Sequence, residues 1–586
     1  MLTTLTAPAF AGTWYIEDGD ITISAGKTEG TNKVTQGTTT DEEDTNTTIT
    51  NRDKDTPSSN TVTIKAENEN DKVEVKLEDV NIDASSRVNP SATTLNDTSY
   101  AAVNVTGKGD TNIELDGDNE LKSGRYRAGL EHNQTADSEG NVTSGKLTIQ
   151  DDKDNAGSLT ATGGESAAGI GGGNANAGQV TITGSNITAT GGYGSAGIGG
   201  GYGQISPNPN AGDGDVTISG GTIKAAGGTF GAGIGGGYIG DAHVTITGDA
   251  TVEEVQGGEG AAGIGSGAYA SIGEVEISGN AKIENAQGGI TGSGIGGGNG
   301  ASGTVVIKDD STVTATGGEA GAGIGGGIYG LSNVTIEGNT KVNATGGAGG
   351  AAIGGGAGAE NNSDNNGNQI TIKSNENGSP TINAVGGGTD EGEKIVIGGA
   401  GIGAGCESDA DADITLEGKV TITATAGKDN VAIGANGIEQ EFSGLAEGSS
   451  ITRYDPEGND ITLPTDPVPA VPSSSGGGSA DASVQESVFP GLVVTDKDGQ
   501  RISYTSIRDN NVLSLRVGRF TASLRASLAT LRQLRAEGID TITFQTILCS
   551  TSLSVDELLA MGGEDTEVVL THHIRSSTLT VGGKAV

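Results

Sequence analysis

The chain has 586 residues, of which 33% are hydrophobic and only 3% aromatic, too thin a supply for one large globular core. Its 33 Lys and Arg against 75 Asp and Glu give a formal charge of −42. That excludes nucleic acid as a partner, which needs a basic stripe, and it excludes electrostatic docking on anionic lipid. Cys406 and Cys549 are the only cysteines and fall in different predicted domains, so no disulfide framework is expected.

Residues 1–11 read as the remnant of a signal peptide, because Ala9-Phe10-Ala11 fits the small-x-small cleavage pattern. Export is the expectation, with the mature chain starting at Gly12. No run of 18 apolar residues exists, so no transmembrane segment is predicted. Residues 12–160 read as an N-terminal cap followed by degenerate coils. Trp14, the only tryptophan, suits the covering of an open end, while Thr35 to Thr48 is polar and reads as a loop. Val103, Ile113 and Leu130 mark an early three-beat unit.

Residues 161–463 form a regular array. A Gly-Ile-Gly core, or its Ala-Ile-Gly variant, falls at Ile170, Ile198, Ile234, Ile264, Ile295, Ile324, Ile353, Ile402 and Ile433. The steps are 28, 36, 30, 31, 29, 29, 49 and 31 residues, the signature of repeated supersecondary units. Between cores, Val180/Ile182 alternate with Thr181/Thr183, and Ile187/Ala189 with Thr188/Thr190. Period two with β-branched residues means strands with one buried and one wet face. Three short strands per coil of about 30 residues, turning at Gly-rich corners, describe an all-β, right-handed parallel β-helix, a solenoid whose hand follows the rule for parallel crossovers. Asp460 to Leu463 reads as a last strand.

Pro464 to residue 482 changes to a Pro/Ser/Gly linker, stiff and then slack. Residues 483–586 read as a small α+β domain with a helix over Phe520 to Glu537 and a short one over Val555 to Met561. This domain holds eight of the chain's 13 arginines.

The four histidines have no metal-ligand spacing, and no nucleophile–base arrangement can be assembled. Parallel β-helices also carry polysaccharide lyases and hydrolases, so carboxylates deserve inspection. Asp409, Asp411 and Asp413 would share a strand face at roughly 6.5 Å spacing, which suits calcium. Asp151-Asp152, Asp309-Asp310 and the pair Asp213 and Asp215 are weaker groups. The outward threonines Thr181, Thr183, Thr188, Thr190, Thr245 and Thr247 should stack into hydroxyl strips able to meet a sugar, although threonine is also an ordinary residue for a wet strand.

Ala9-Phe10-Ala11, Trp14 to Asp20, Asn112 to Leu121 and the Gly-Ala-Gly-Ile-Gly-Gly-Gly array together resemble secreted surface proteins of clostridia-like bacteria. The repeats are similar to the carbohydrate-binding parallel β-helix domain of that group, over residues 12 to 440. The resemblance implies a secreted or bacterial cell-surface protein binding a polysaccharide or host ligand, with calcium as its cofactor and no catalysis. A structural spacer or protein-binding adhesin is the alternative, and a lyase or hydrolase the next. Oligomeric state, the C-terminal domain's role and the anchoring mode are not encoded in any motif.

Overall fold

A computed structural model describes residues 12–467 and 491–585, apart from 95–97, 138, 140, 152–156, 205–209, 362–366, 389, 392–393, 396, 497–500, 503, 510, 518–520, 547–548, 564–565 and 574–575. The signal-like 1–11, most of the linker, Asp152 and the prolines of the 36-residue repeat lie outside the described residues. The chain divides into two compact units, Met1–Ala470 and Val471–Val586.

The first unit is a three-sided parallel β-helix built from sheets of 13, 12 and 16 strands. Alternation in the sequence becomes ladders in space. On the first sheet Val180, Val216, Val244, Val275, Val305 and Val334 lie in register, with Ile182, Ile218, Ile246, Ile277, Ile307 and Ile336 beside them. The second sheet stacks Ile187, Ile223 and Val252 next to a column of small residues, Ala189, Ala225 and Val255. All are buried, so each added coil covers the apolar surface of the last.

The third sheet is narrower, because each coil gives it only two residues in the regular array, Ile and Gly. Ile170 pairs with Ile198, then Ile234, Ile264, Ile295, Ile324, Ile353, Ile402 and Ile433. The glycine after each of these isoleucines holds φ between +124° and +147°. A Cβ at Gly265 would be driven into the carbonyl oxygen of Gly296, and the same holds from coil to coil along this face. Glycine is required here on two counts, backbone conformation and backbone proximity.

Both ends are closed. The stretch expected as a loop after Thr35 is instead part of an antiparallel hairpin, Asn32–Gln36 with Thr39–Asp44, which adds to the third sheet before its first parallel rung. Asn32, Val34 and Gln36 are buried in alternation, a strand signal that the surrounding threonines and acids obscure. Trp14 helps anchor this cap by donating from Nε1 to Asp44 at 2.8 Å. At the other end Arg453 stands in register with Ala424 but is wholly buried. It donates to both carboxylate oxygens of Asp466 (2.7 and 2.9 Å), to Glu439 and to the Gln440 carbonyl. Asp460 to Leu463 is therefore not a strand but part of this plug, which reaches Pro467, past the Pro464 boundary read from composition.

The second unit has a five-stranded and a four-stranded sheet with two short helices. The expected helix over Phe520 to Glu537 is shorter, Leu528–Ala536, because Ser527 caps it by accepting from Thr530 N at 3.1 Å. Ahead of it Ala522, Leu524 and Ala526 are buried at period two in a strand, so Leu524 belongs to that strand. No described helix is long and apolar enough to cross a membrane.

Two substitutions separate the causes of stability. Gly265→Val should cost about 3 kcal/mol or more, whereas Gly300→Ala, at φ +77° with open space around its Cβ, should cost about 1. Urea midpoints of the two variants check this, and equal losses would refute it. Arg453→Ala should raise hydrogen exchange in Ser450–Tyr454 by the equivalent of about 3–5 kcal/mol, leaving the rung at Ile198 protected.

Candidate functional site

The corners on either side of the third sheet are where side chains can differ from coil to coil without disturbing the ladders. Two consecutive coils place aromatic residues there. Tyr193 and Phe230 occupy the corner before the Gly-Ile-Gly strand, and Tyr202 and Tyr238 the corner after it. The narrow third face lets the two corners meet across it. Tyr193 and Tyr202 lie 6.2 Å apart between ring centroids, Tyr202 and Tyr238 5.1 Å, Phe230 and Tyr238 5.7 Å, and Tyr193 and Phe230 5.6 Å. Tyr269, one coil further, stands at 75° to Tyr238 with centroids 5.8 Å apart. The five rings alone line an open bowl of about 310 Å³.

Glycine makes room for the rings: a Cβ at Gly194 would strike the Tyr202 ring. The rings are nonetheless far from buried, with Tyr193 50% and Tyr269 57% exposed. Tyr269 also has a left-handed backbone, φ +62°, as does Tyr329 two coils on. The equivalent position is left-handed in other coils too, held by Ala175, Ile239 and Glu407 as well as by Gly300 and Gly358. An L residue there costs roughly 1 kcal/mol, more for a bulky one. What holds Tyr269 in place is the inter-coil ladder, its N–H donating to the Asn299 carbonyl at 2.8 Å.

The corner beside the bowl also carries a half-buried carboxyl. Asp213 Oδ1 accepts from Asp241 N at 2.9 Å, and Asp241 Oδ1 accepts from Ser271 N and Ile272 N at 2.7 and 2.9 Å. Burial, with the neighbouring Asp241 charge adding to it, pushes Asp213 up to about 7 against one opposing hydrogen bond. Gly212, its neighbour, accepts from Gly237 N at 2.7 Å, which ties this corner to the turn carrying Tyr238.

The sequence-derived candidates are placed differently. Thr181 and Thr245 lie on the first sheet in a strip of four rungs, Thr148, Thr181, Thr217 and Thr245, which Glu276 then ends. Thr183 and Thr247 follow at the ends of those strands, and Thr247 Oγ1 accepts from Ser278 at 3.0 Å. Thr188 and Thr190 are exposed on the second sheet, where Lys224 and Ala226 follow in register. The threonines thus divide between two faces, and none of them lines the bowl. Asp409 and Asp411 precede the strand Ala412–Glu417, so only Asp413 has the strand placement on which a shared face depended. All three are exposed, Asp411 is bonded by Asn436, and among the described residues no three His, Cys, Asp or Glu converge on a metal site. A second concavity of about 330 Å³ lies beside the N-terminal cap, lined by residues of mixed charge including Lys72, Glu74, Asn112 and Gln150.

The model of the Beta helix repeat family matches at residues 155–174, 180–202, 216–238 and 305–328. The chain therefore carries repeats of a parallel β-helix family, and two of the matched segments end at Tyr202 and Tyr238. Comparison with curated proteins and with solved structures gives no match.

Asp213 generates a pH dependence with a definite sign. The fold favours its neutral form, so its contribution is complete below about pH 4. It is lost as pH rises toward 7, because the unfolded chain has already released the proton that the folded chain keeps. Asp213→Asn, which keeps the acceptor for Asp241 N, should match the wild type near pH 4 and melt higher at pH 8. Parallel melting curves at both values would contradict this.

Proposed function

We propose that this chain is a non-catalytic binding protein of the bacterial cell exterior that engages a polysaccharide through the aromatic bowl on its third face. The observation that carries the reading is the gathering of five rings from three coils, Tyr193, Tyr202, Phe230, Tyr238 and Tyr269, around one open bowl, none of them buried. Core packing does not account for it, since exposed rings return little burial energy, and apolar surface gathered in one patch points to use. Aromatic faces suit the apolar faces of sugar rings, and a groove crossing successive coils suits a chain-like ligand. The acidic surface keeps the molecule soluble and disfavours polyanionic partners.

A spacer is the second reading, favoured by the capped ends and uniform rungs, which make a stiff rod of fixed length. It gives no reason for five rings to gather at one place on that rod.

A glycan array read with the full chain and with Tyr193→Ala/Tyr269→Gly separates the two. The wild type should retain at least one polysaccharide, and the double variant should lose about tenfold or more in affinity at a melting temperature no lower than the wild type's. Retention of no glycan by the wild type would favour the spacer. Equal retention by both proteins would remove the bowl from the account.

A further inference from the structure

We infer that the group entering the bowl is a cation, an alkylated ammonium carried on the polysaccharide; the inference rests on the binding reading above. Four tyrosines and one phenylalanine form the whole lining, with no lysine or arginine among them. Ring faces are negative and attract a cation that has shed part of its hydration, which a trimethylammonium does more readily than a bare ammonium. The centroids of Tyr193, Tyr202, Tyr238 and Phe230 close a quadrilateral with sides of 5.1 to 6.2 Å. A group seated among them meets several rings at once, which a single exposed ring does not offer. Tyr269 supplies a wall on one side.

The surroundings have the complementary charge. The chain carries −42, and eight of its 13 arginines lie beyond residue 483, which leaves the solenoid especially poor in compensating cations. Glu259, exposed, occupies the corner one coil after Phe230, where Gly260 N donates to the Thr229 carbonyl. A neutral sugar buried in the bowl would find only phenol hydroxyls for its own hydroxyl groups. A polyuronate would meet repulsion. An ammonium meets neither cost, and it draws on the field that the acidic surface already supplies.

The test uses the full chain. Choline is titrated against 3,3-dimethylbutan-1-ol, its uncharged isostere, at low and high salt. Choline should bind about fivefold or more tighter than the isostere, less so at high salt, and Tyr269→Gly should abolish the difference. A choline-substituted polysaccharide should then bind while its unsubstituted backbone and phosphatidylcholine vesicles do not. Equal binding of choline and isostere would overturn the inference, as would binding of the unsubstituted backbone to the same extent, although that second result would leave the polysaccharide reading standing. Binding of vesicles in place of the polymer would assign the ammonium to lipid and overturn the inference. Choline binding without retention of any glycan would overturn the polysaccharide and keep the cation.

Discussion

The structure depends on how closely the backbones of successive coils approach along the third face. Two residues per coil, a buried isoleucine and a buried glycine, form that strand, and the glycine conformation leaves no space for a Cβ before the next coil's carbonyl. The isoleucine supplies the buried apolar rung, and the glycine supplies the close stacking that lets the inter-coil hydrogen bonds form on either side of it. A face made this way has almost no side chains of its own. Its outward surface is set by whatever the flanking corners carry.

That consequence links the fold to function. On a wider face, rings from opposite corners would be separated by strand side chains. Here Tyr193 meets Tyr202, and Phe230 meets Tyr238, over a strand of buried residues. The corners are free to vary, since their side chains do not enter the ladders, so an aromatic cluster can be written into two or three coils while the others stay plain. The left-handed corner position shows the same freedom, carrying Ala175, Ile239, Tyr269, Gly300, Tyr329, Gly358 and Glu407 in different coils.

The repeat period, the three strands per coil and the inward residues were legible in the sequence because ladder positions are dictated by burial, and burial repeats. Val180, Ile182, Ile187 and Ile198 were identifiable as core from alternation alone. The bowl was not, because its residues come from non-equivalent corners. Tyr193 and Tyr202 are nine residues apart around one coil, and Phe230, Tyr238 and Tyr269 belong to later ones. The available signal was weaker: four of the chain's ten tyrosines fall between 193 and 269, three of them beside glycines, in a chain with 3% aromatics. The threonines carry suitable chemistry but divide between two faces, and the Asp409 group depends on a strand that begins three residues later. The N-terminal hairpin and the Arg453 plug escaped notice because caps are the places where a repeat stops repeating. Polar residues such as Asn32, Asp44 and Asp466 are buried there to satisfy backbone and charge.

The central claim is that the ring cluster on the glycine face is where this solenoid meets its ligand. The most direct measurement is a carbon NMR spectrum of the full chain labelled at the tyrosine rings, recorded with and without a choline-bearing polysaccharide. The account predicts shifts confined to Tyr193, Tyr202, Tyr238 and Tyr269, with Tyr15 and Tyr100 near the N-terminal end unmoved. Shifts at Tyr15 or Tyr100 alone, or none at all, would contradict it.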